Sequence, residues 1–325
     1  MAKKKKKRSI FHKKTFLSDL AAAGVKALTW PLAWLPRSWG LALGAAAGRL
    51  AFLLMKRRRR IAVGNIEMIK ANGSLPADLE AEATARRAFA NLGRSAWEAV
   101  CCFHRGFAPF ADYYHVEEGR EYLEAILDDC RQSGRGLVLA TAHVGNWELM
   151  CHYLPITFRT GLTVIGRDSG NVLIDDLVHA LRQKGGNEFL PKSGGAKGML
   201  TTLRKGGVLG TLIDQAVLVD PGGAMIPFLG REASTNLGPV RLARKTSSTL
   251  SMVLFRREGS HNYMKVFPAV EPRRDLEPEE AIMADARQLN DWLSEYIQQY
   301  PDQWMWGHRR WKTKKGIKQN RQSLT

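Results

Sequence analysis

The chain has 325 residues, 45% hydrophobic and 25% charged, which excludes wholesale disorder and leaves room for one large α/β domain or two smaller ones. Its 49 lysines and arginines against 31 acidic residues give a formal charge of +18, which implies an anionic partner: nucleic acid, an acidic protein or an anionic membrane surface. Cys101, Cys102, Cys130 and Cys151 form no C-x-x-C pair and stand among apolar neighbours, so they read as reduced core thiols of a cytosolic compartment.

Residues 1–15 hold Lys3 to Lys7, Arg8, Lys13 and Lys14 with no acid, a solvated tail able to bind anionic lipid. From Leu20 to Met55 only Lys26, Arg37 and Arg49 carry charge, and Trp30, Trp34 and Trp39 crowd together. No uncharged run reaches the roughly 20 residues of a spanning helix, and Pro31 and Pro36 break the segment further. Tryptophans beside basic residues fit an interfacial, partly embedded hairpin or amphipathic pair. Gly40, Gly44 and Gly48 make a small-x-x-x-small ladder suited to close helix packing in lipid. The alternative for this segment is a buried core helix of a soluble protein. A cleaved signal peptide fits poorly, because the charged region is too long and Lys26 interrupts the apolar one. Lys56 to Arg60 add five consecutive positive charges, the pattern of a cytoplasmic flank. The chain thus divides into a basic tail and membrane anchor, residues 1–60, and a catalytic domain, residues 61–325.

Residues 76–103 read as a helix, with Phe89, Leu92, Ala96, Val100 and Phe103 at three- and four-residue steps. Strand 113–116, the helical face of Leu123, Ile126, Leu127 and Cys130, and the apolar run 137–142 then make a β-α-β unit. The alternation continues through strand 162–165, helix 171–184, short strand 188–190, helix 197–204 and strand 208–213. Residues 216–234 form a long loop, the length of a functional lid or binding wall. Helix 238–245, paired strands 249–255 and 263–267, and helix 278–300 complete the domain. The fold class is α/β, a mixed, mostly parallel sheet flanked by helices, with an N-terminal membrane-associated helical segment.

The chemistry gathers after strands. In His143-Val144-Gly145-Asn146-Trp147-Glu148, the five-residue spacing puts His143 and Glu148 roughly 140° apart on a continuous helix. They converge only through a strand end, a turn and a helix starting near Asn146, where an N-cap amide and a first-turn carboxylate are both suited. His143, Arg167, Lys192 and Asp214 each follow a strand, so they share the rim where open α/β sheets bind ligands. A histidine with a carboxylate behind it is a general base, and Arg167 and Lys192 suit a phosphate or an oxyanion. The structural alternative is a capped histidine, an ordinary first-turn acid and surface charges. No G-x-S-x-G, G-x-x-x-x-G-K-[ST] or H-E-x-x-H occurs. Cys151 has no activating partner, and His143, Glu148 and His152 lack the further cluster a metal site needs.

HVGNWE resembles the H-x4-D/E motif of glycerolipid acyltransferases, and its Asn-Trp-Glu form resembles the late acyltransferases of lipid A biosynthesis. Arg58-Arg59-Arg60-Ile61-Ala62 with Asn65, Gly134-Arg135-Gly136, Arg167 with Asn171, Asp214-Gln215, Pro227-Phe228-x-Gly230, Gly238-Pro239 and the run from Gln303 to Lys312 extend the likeness over most of the chain. The resemblance implies acyl transfer to a hydroxyl of a lipid A precursor at the cytoplasmic face of the inner membrane. The donor would be acyl carrier protein or coenzyme A, as co-substrate rather than cofactor, and no covalent acyl-enzyme would form. His143 would be the base and Glu148 its orienting acid, with Asn146, Arg167, Lys192, Asp214 and Gln215 on the substrate side and no metal. Expected partners are acyl carrier protein, anionic membrane lipids and the lipid acceptor, not nucleic acid. The alternatives are the same chemistry on another glycolipid, aminolipid or lysophospholipid, or a non-enzymatic basic binder of membrane or nucleic acid.

Overall fold

A run of apolar strands with both faces covered makes the centre of the protein. The computed structural model describes residues 16–166, 178, 180–182, 187–191, 195–217 and 219–311. Its strands are β1 (Tyr114–Glu118), β2 (Leu137–Thr141), β3 (Leu162–Gly166), β4 (Glu188–Pro191), β5 (Val208–Leu212), β6 (Gly223–Phe228), β7 (Arg231–Asn236), β8 (Thr249–Glu258) and β9 (His261–Val266). Seven form one sheet in the order β1-β9-β8-β2-β5-β3-β4. Strands β8, β2, β5, β3 and β4 are parallel, β9 is antiparallel to β8, and β1 is parallel to β9.

The longer helices among the described residues are α1 (Phe16–Thr29), α2 (Arg37–Leu54), α3 (Lys56–Ala71), α4 (Ala81–Arg105), α5 (Arg120–Ser133), α6 (Trp147–Phe158), α7 (Ala196–Arg204), α8 (Gly238–Lys245) and α9 (Pro278–Gln299). Strand β2 is buried along its whole length, and its side chains alternate between two cores. Val138 and Ala140 join Ile66 of α3, Val240 of α8 and Leu293 of α9, whereas Leu137 and Leu139 join Leu127 of α5 and Leu149 of α6. That period of two, apolar on both sides, is what a central strand between helical layers requires. The expected mostly parallel α/β sheet is present.

Two expectations are corrected. β1 and β2 do not form a β-α-β unit: β9 and β8 stand between them, so α5 joins two antiparallel strands. Hydrophobic alternation shows that a segment is a strand but not beside which strand it pairs. The long loop after Ala216 is largely a hairpin, with β6 and β7 antiparallel and Phe228 opposite Arg231. Its two-residue turn, Leu229 and Gly230, has φ values of 48° and 70°, the left-handed pair that tight hairpins use.

The glycine ladder also finds a different partner. A Cβ on Gly44 would lie 2.6 Å from the Gly93 carbonyl oxygen, and one on Gly48 would lie 2.1 Å from that of Phe89. Gly40 likewise abuts the Trp97 ring. Positions rise along α2 as they fall along α4, so the helices pack antiparallel with backbones nearly touching, within the protein. The opposite face of α2 is open: Trp39 is 70% and Leu54 70% exposed, with Leu43, Leu50 and Leu53 beside them. α3 runs unbroken through residue 60. It bends 93° from α2, and no single helix among the described residues is long and apolar enough to cross a membrane.

Candidate active site

Strand register explains the centre of the site. Thr141 of β2 lies opposite Leu212 of β5, and the Ile213 amide donates to the Thr141 carbonyl at 3.0 Å. Continuing both strands by two residues brings His143 beside Asp214. His143 Nδ1 is 2.8 Å from Asp214 Oδ1, and the His143 backbone amide donates to Oδ2 at 3.2 Å. The Trp304 indole N–H also donates to Oδ2, at 2.8 Å, and His308 Nε2 lies 3.1 Å from the Asp214 carbonyl oxygen. Asp214 is fully buried, while the His143 side chain keeps 14% of its surface. A carboxylate on Nδ1 fixes the proton there and leaves Nε2 with its lone pair. Nε2 faces the Gln215 amide nitrogen at 3.4 Å, and the ring meets Trp147 edge-on at 5.0 Å.

Burial acts to raise the Asp214 pKa, but the charge and hydrogen bond of His143, with His308 and the Trp304 indole, hold it well below the usual carboxylate range. His308 is pushed down by its own burial, against the attraction of Asp214. The turn carrying His143 is clamped by the C-terminal segment: Gly145 N–H donates to the Gln303 carbonyl at 2.9 Å, and Met305 N–H to the His143 carbonyl at 3.0 Å. Gly145 has φ 59°, and a Cβ there would lie 2.4 Å from the Phe255 carbonyl oxygen, so only glycine fits. α6 starts at Trp147 with no side-chain cap, which leaves first-turn amides and the positive helix end close to His143 in sequence.

The expected contact between His143 and Glu148 is not formed. With α6 starting at Trp147, Glu148 sits at the second helical position and pairs in two-pronged fashion with Arg182, Nε to Oε1 at 2.7 Å and Nη2 to Oε2 at 3.0 Å. Both line a narrow cleft of about 40 Å³ over the ends of β2, β3 and β5, with Thr141, Trp147, Ile165 and Thr211. Asn146, expected on the substrate side, is buried instead; its amide donates to Glu98 Oε2 at 2.6 Å and to the Tyr114 hydroxyl at 2.9 Å. Glu98 also accepts from Arg257, Arg37 and Asn262. Gln215, expected on the substrate side, lies beside His143, whereas Arg167, Asn171 and Lys192 fall outside the described residues. Burial raises the Cys151 thiol well above its ordinary value, which opposes a thiolate nucleophile. All four cysteines are buried, and none is in a disulfide.

Trp304, His308, Arg182 and Glu98 were not singled out as site residues by sequence reasoning. The first two lay in a conspicuous run of tryptophan and basic residues, but nothing local tied that run to Asp214. The basic segment after α2 anchors the same run: Asn65 donates to the carbonyls of Trp306 and His308 at 2.8 and 2.9 Å, and Arg58 to that of Gly307 at 2.9 Å. Phe228 of the hairpin packs edge-on against Trp304, ring centres 5.5 Å apart.

The sequence profile of the bacterial lipid A biosynthesis acyltransferases matches residues 3–313. The chain belongs to this family. Two relatives come from Escherichia coli (strain K12). The lipid A biosynthesis lauroyltransferase is 27% identical over 290 residues, 88% of this chain and 89% of the relative, and the lipid A biosynthesis palmitoleoyltransferase is 24% identical over 280 residues, 84% of each. A phosphatidylinositol mannoside acyltransferase from Mycolicibacterium smegmatis (strain ATCC 700084 / mc(2)155) is 27% identical over 179 residues, 53% of this chain and 55% of that one. As a member of the lipid A acyltransferase family, the protein is an acyltransferase.

Proposed function

We propose that the protein moves a fatty acyl chain from acyl carrier protein to a hydroxyl of a lipid A precursor, at the cytoplasmic face of the inner membrane. The observation that carries the chemistry is the hydrogen bond between His143 Nδ1 and the buried Asp214 carboxylate. His143 Nε2 takes the proton of the acceptor hydroxyl as its oxygen attacks the thioester carbonyl. The tetrahedral oxyanion collapses, the carbon–sulfur bond breaks, and the leaving thiolate takes the proton back from the imidazolium. Asp214 holds the tautomer and steadies the imidazolium while it lasts. The uncapped first turn of α6 supplies amides and a positive helix end for the oxyanion. Glu148 acts one step away, fixing Arg182 through two of its five N–H donors and aiming its guanidinium at an oxyanion or a phosphate. Arg167 and Lys192, beyond the same strand ends in sequence, remain proposed phosphate contacts.

The membrane assignment is supported by the open apolar face of α2 with Trp30, Trp34 and Trp39, flanked by the positive run of Lys56 to Arg60. The test is to incubate the purified protein with acyl carrier protein thioester or coenzyme A thioester and a panel of lipid A precursors, other glycolipids and lysophospholipids. Products are identified by mass spectrometry. Transfer from the carrier thioester to the lipid A precursor, reduced about 10²–10⁴-fold in His143→Ala, is the expected result. Full transfer by the variant would overturn the mechanism, and a different preferred acceptor would overturn the substrate.

A further inference from the structure

Away from His143, a second concave space of about 660 Å³ opens between α2, α4 and the turn joining β8 to β9. Arg49, Arg86, Arg87, Arg94 and Arg257 line it, against one acid, Asp302. Arg257 is balanced by Glu98, which also serves Arg37. Arg87 only approaches Asp302, at 3.9 Å, and Arg94 donates to the neutral Asn91 side chain at 2.7 Å. Arg49 and Arg86 have no ion pair among the described residues. Burial, then the charges of Arg257 and Arg49, push the Arg94 pKa down, with Asp302 opposing. Clustered like charges cost stability, and a wall of arginines short of acids is an incomplete ion-pair set whose missing member is an anion. Planar guanidinium forks suit phosphate in particular.

We propose that this cavity binds the phosphate headgroup of a membrane lipid, at a site separate from the His143 centre. Two observations choose the occupant. The cavity has the size of a small-ligand pocket rather than of a protein docking face. Arg49 also belongs to α2, whose outward side carries exposed Trp39, Leu43, Leu50 and Leu53. A headgroup in the cavity would leave its acyl chains along that apolar face. The assignment rests on the membrane-surface reading above. The cavity meets the His143 turn through Gln303, which lines it and whose carbonyl accepts the Gly145 amide.

The test is calorimetric titration of the full chain with dihexanoyl phosphatidylglycerol below its micelle concentration, and separately with inorganic phosphate. Arg86→Gln/Arg94→Gln and the exposed Arg49→Glu should each weaken lipid binding at least tenfold, while Arg204→Gln on α7 leaves it unchanged. The double variant removes mutually repelling charges, so its melting temperature should not fall. His143→Ala should bind the lipid as wild type does, which separates failure of this site from failure of the transfer mechanism. Undiminished binding in both arginine variants would overturn the site. Inorganic phosphate binding as tightly as the lipid would make it a free-anion site, and displacement of the lipid by acyl carrier protein would assign the surface to the carrier; either overturns the lipid assignment.

Discussion

Two buried carboxylates, Asp214 and Glu98, organise the site from below, and each is ionised for a stated reason. Burial acts to raise the Glu98 pKa, but Arg257 and Arg37 outweigh it and hold the carboxyl below its ordinary value. Removing one partner from such a cluster leaves buried charge uncompensated, at a cost of about 3–5 kcal/mol. Glu98→Gln should therefore lower unfolding stability by that order in denaturant titrations, and should loosen Asn146 at the start of α6. The pH sign follows from the depressed values. The unfolded chain binds these protons more readily, so the stabilisation is present above the ordinary carboxylate pKa of about 4. It is lost as pH falls through the lower folded values. Melting temperature should drop below about pH 4 in wild type and less steeply in Glu98→Gln, whose Asp214 contribution alone remains. Asp214 was legible in sequence as a rim residue following a strand. Its partnership with His143 was not, because spacing exposes local neighbours such as Glu148, while this pair is joined by register between strands 71 residues apart.

Helices and strands were legible where their apolar period was clean. α7, α8 and α9 fall within a residue or so of the expected bounds, and the α2 ladder was plain as a pattern. Which surface met the ladder could not be read, since small residues permit close approach to any helix. Its true partner, the Phe89–Gly93–Trp97 side of α4, contains only one glycine. Gly48→Ala would drive a Cβ to within 2.1 Å of backbone on α4. The helices would have to separate, a strain typically of about 1–3 kcal/mol, seen as a lower melting temperature. Gly64→Ala on α3, where a Cβ meets nothing within 4 Å, should instead raise stability by up to about 1 kcal/mol through helix propensity. The hairpin was read as a loop because its residues, with Pro227 inside a strand, lack the alternation of a buried sheet.

The whole molecule has a mostly parallel sheet whose strand ends carry the candidate site, and an N-terminal helical layer with an open apolar face. Helix α2 joins the two through its glycine contact with α4, and α3 through its bonds to the Trp306–His308 segment. Leu50→Asp/Leu53→Asp alters exposed side chains only, so its melting temperature should stay within about a degree of wild type. Its sedimentation with anionic phospholipid vesicles should fall sharply. Unchanged sedimentation would remove the α2 face from the membrane reading.

The central claim is that His143, oriented by Asp214, deprotonates the lipid hydroxyl. Its most direct test is the rate of acyl transfer at saturating donor and acceptor in Asp214→Asn, which keeps the shape of the side chain but not its charge. The predicted loss is about 10²–10⁴-fold, the scale of a base left in the wrong tautomer. A rate within a few-fold of wild type would contradict the account.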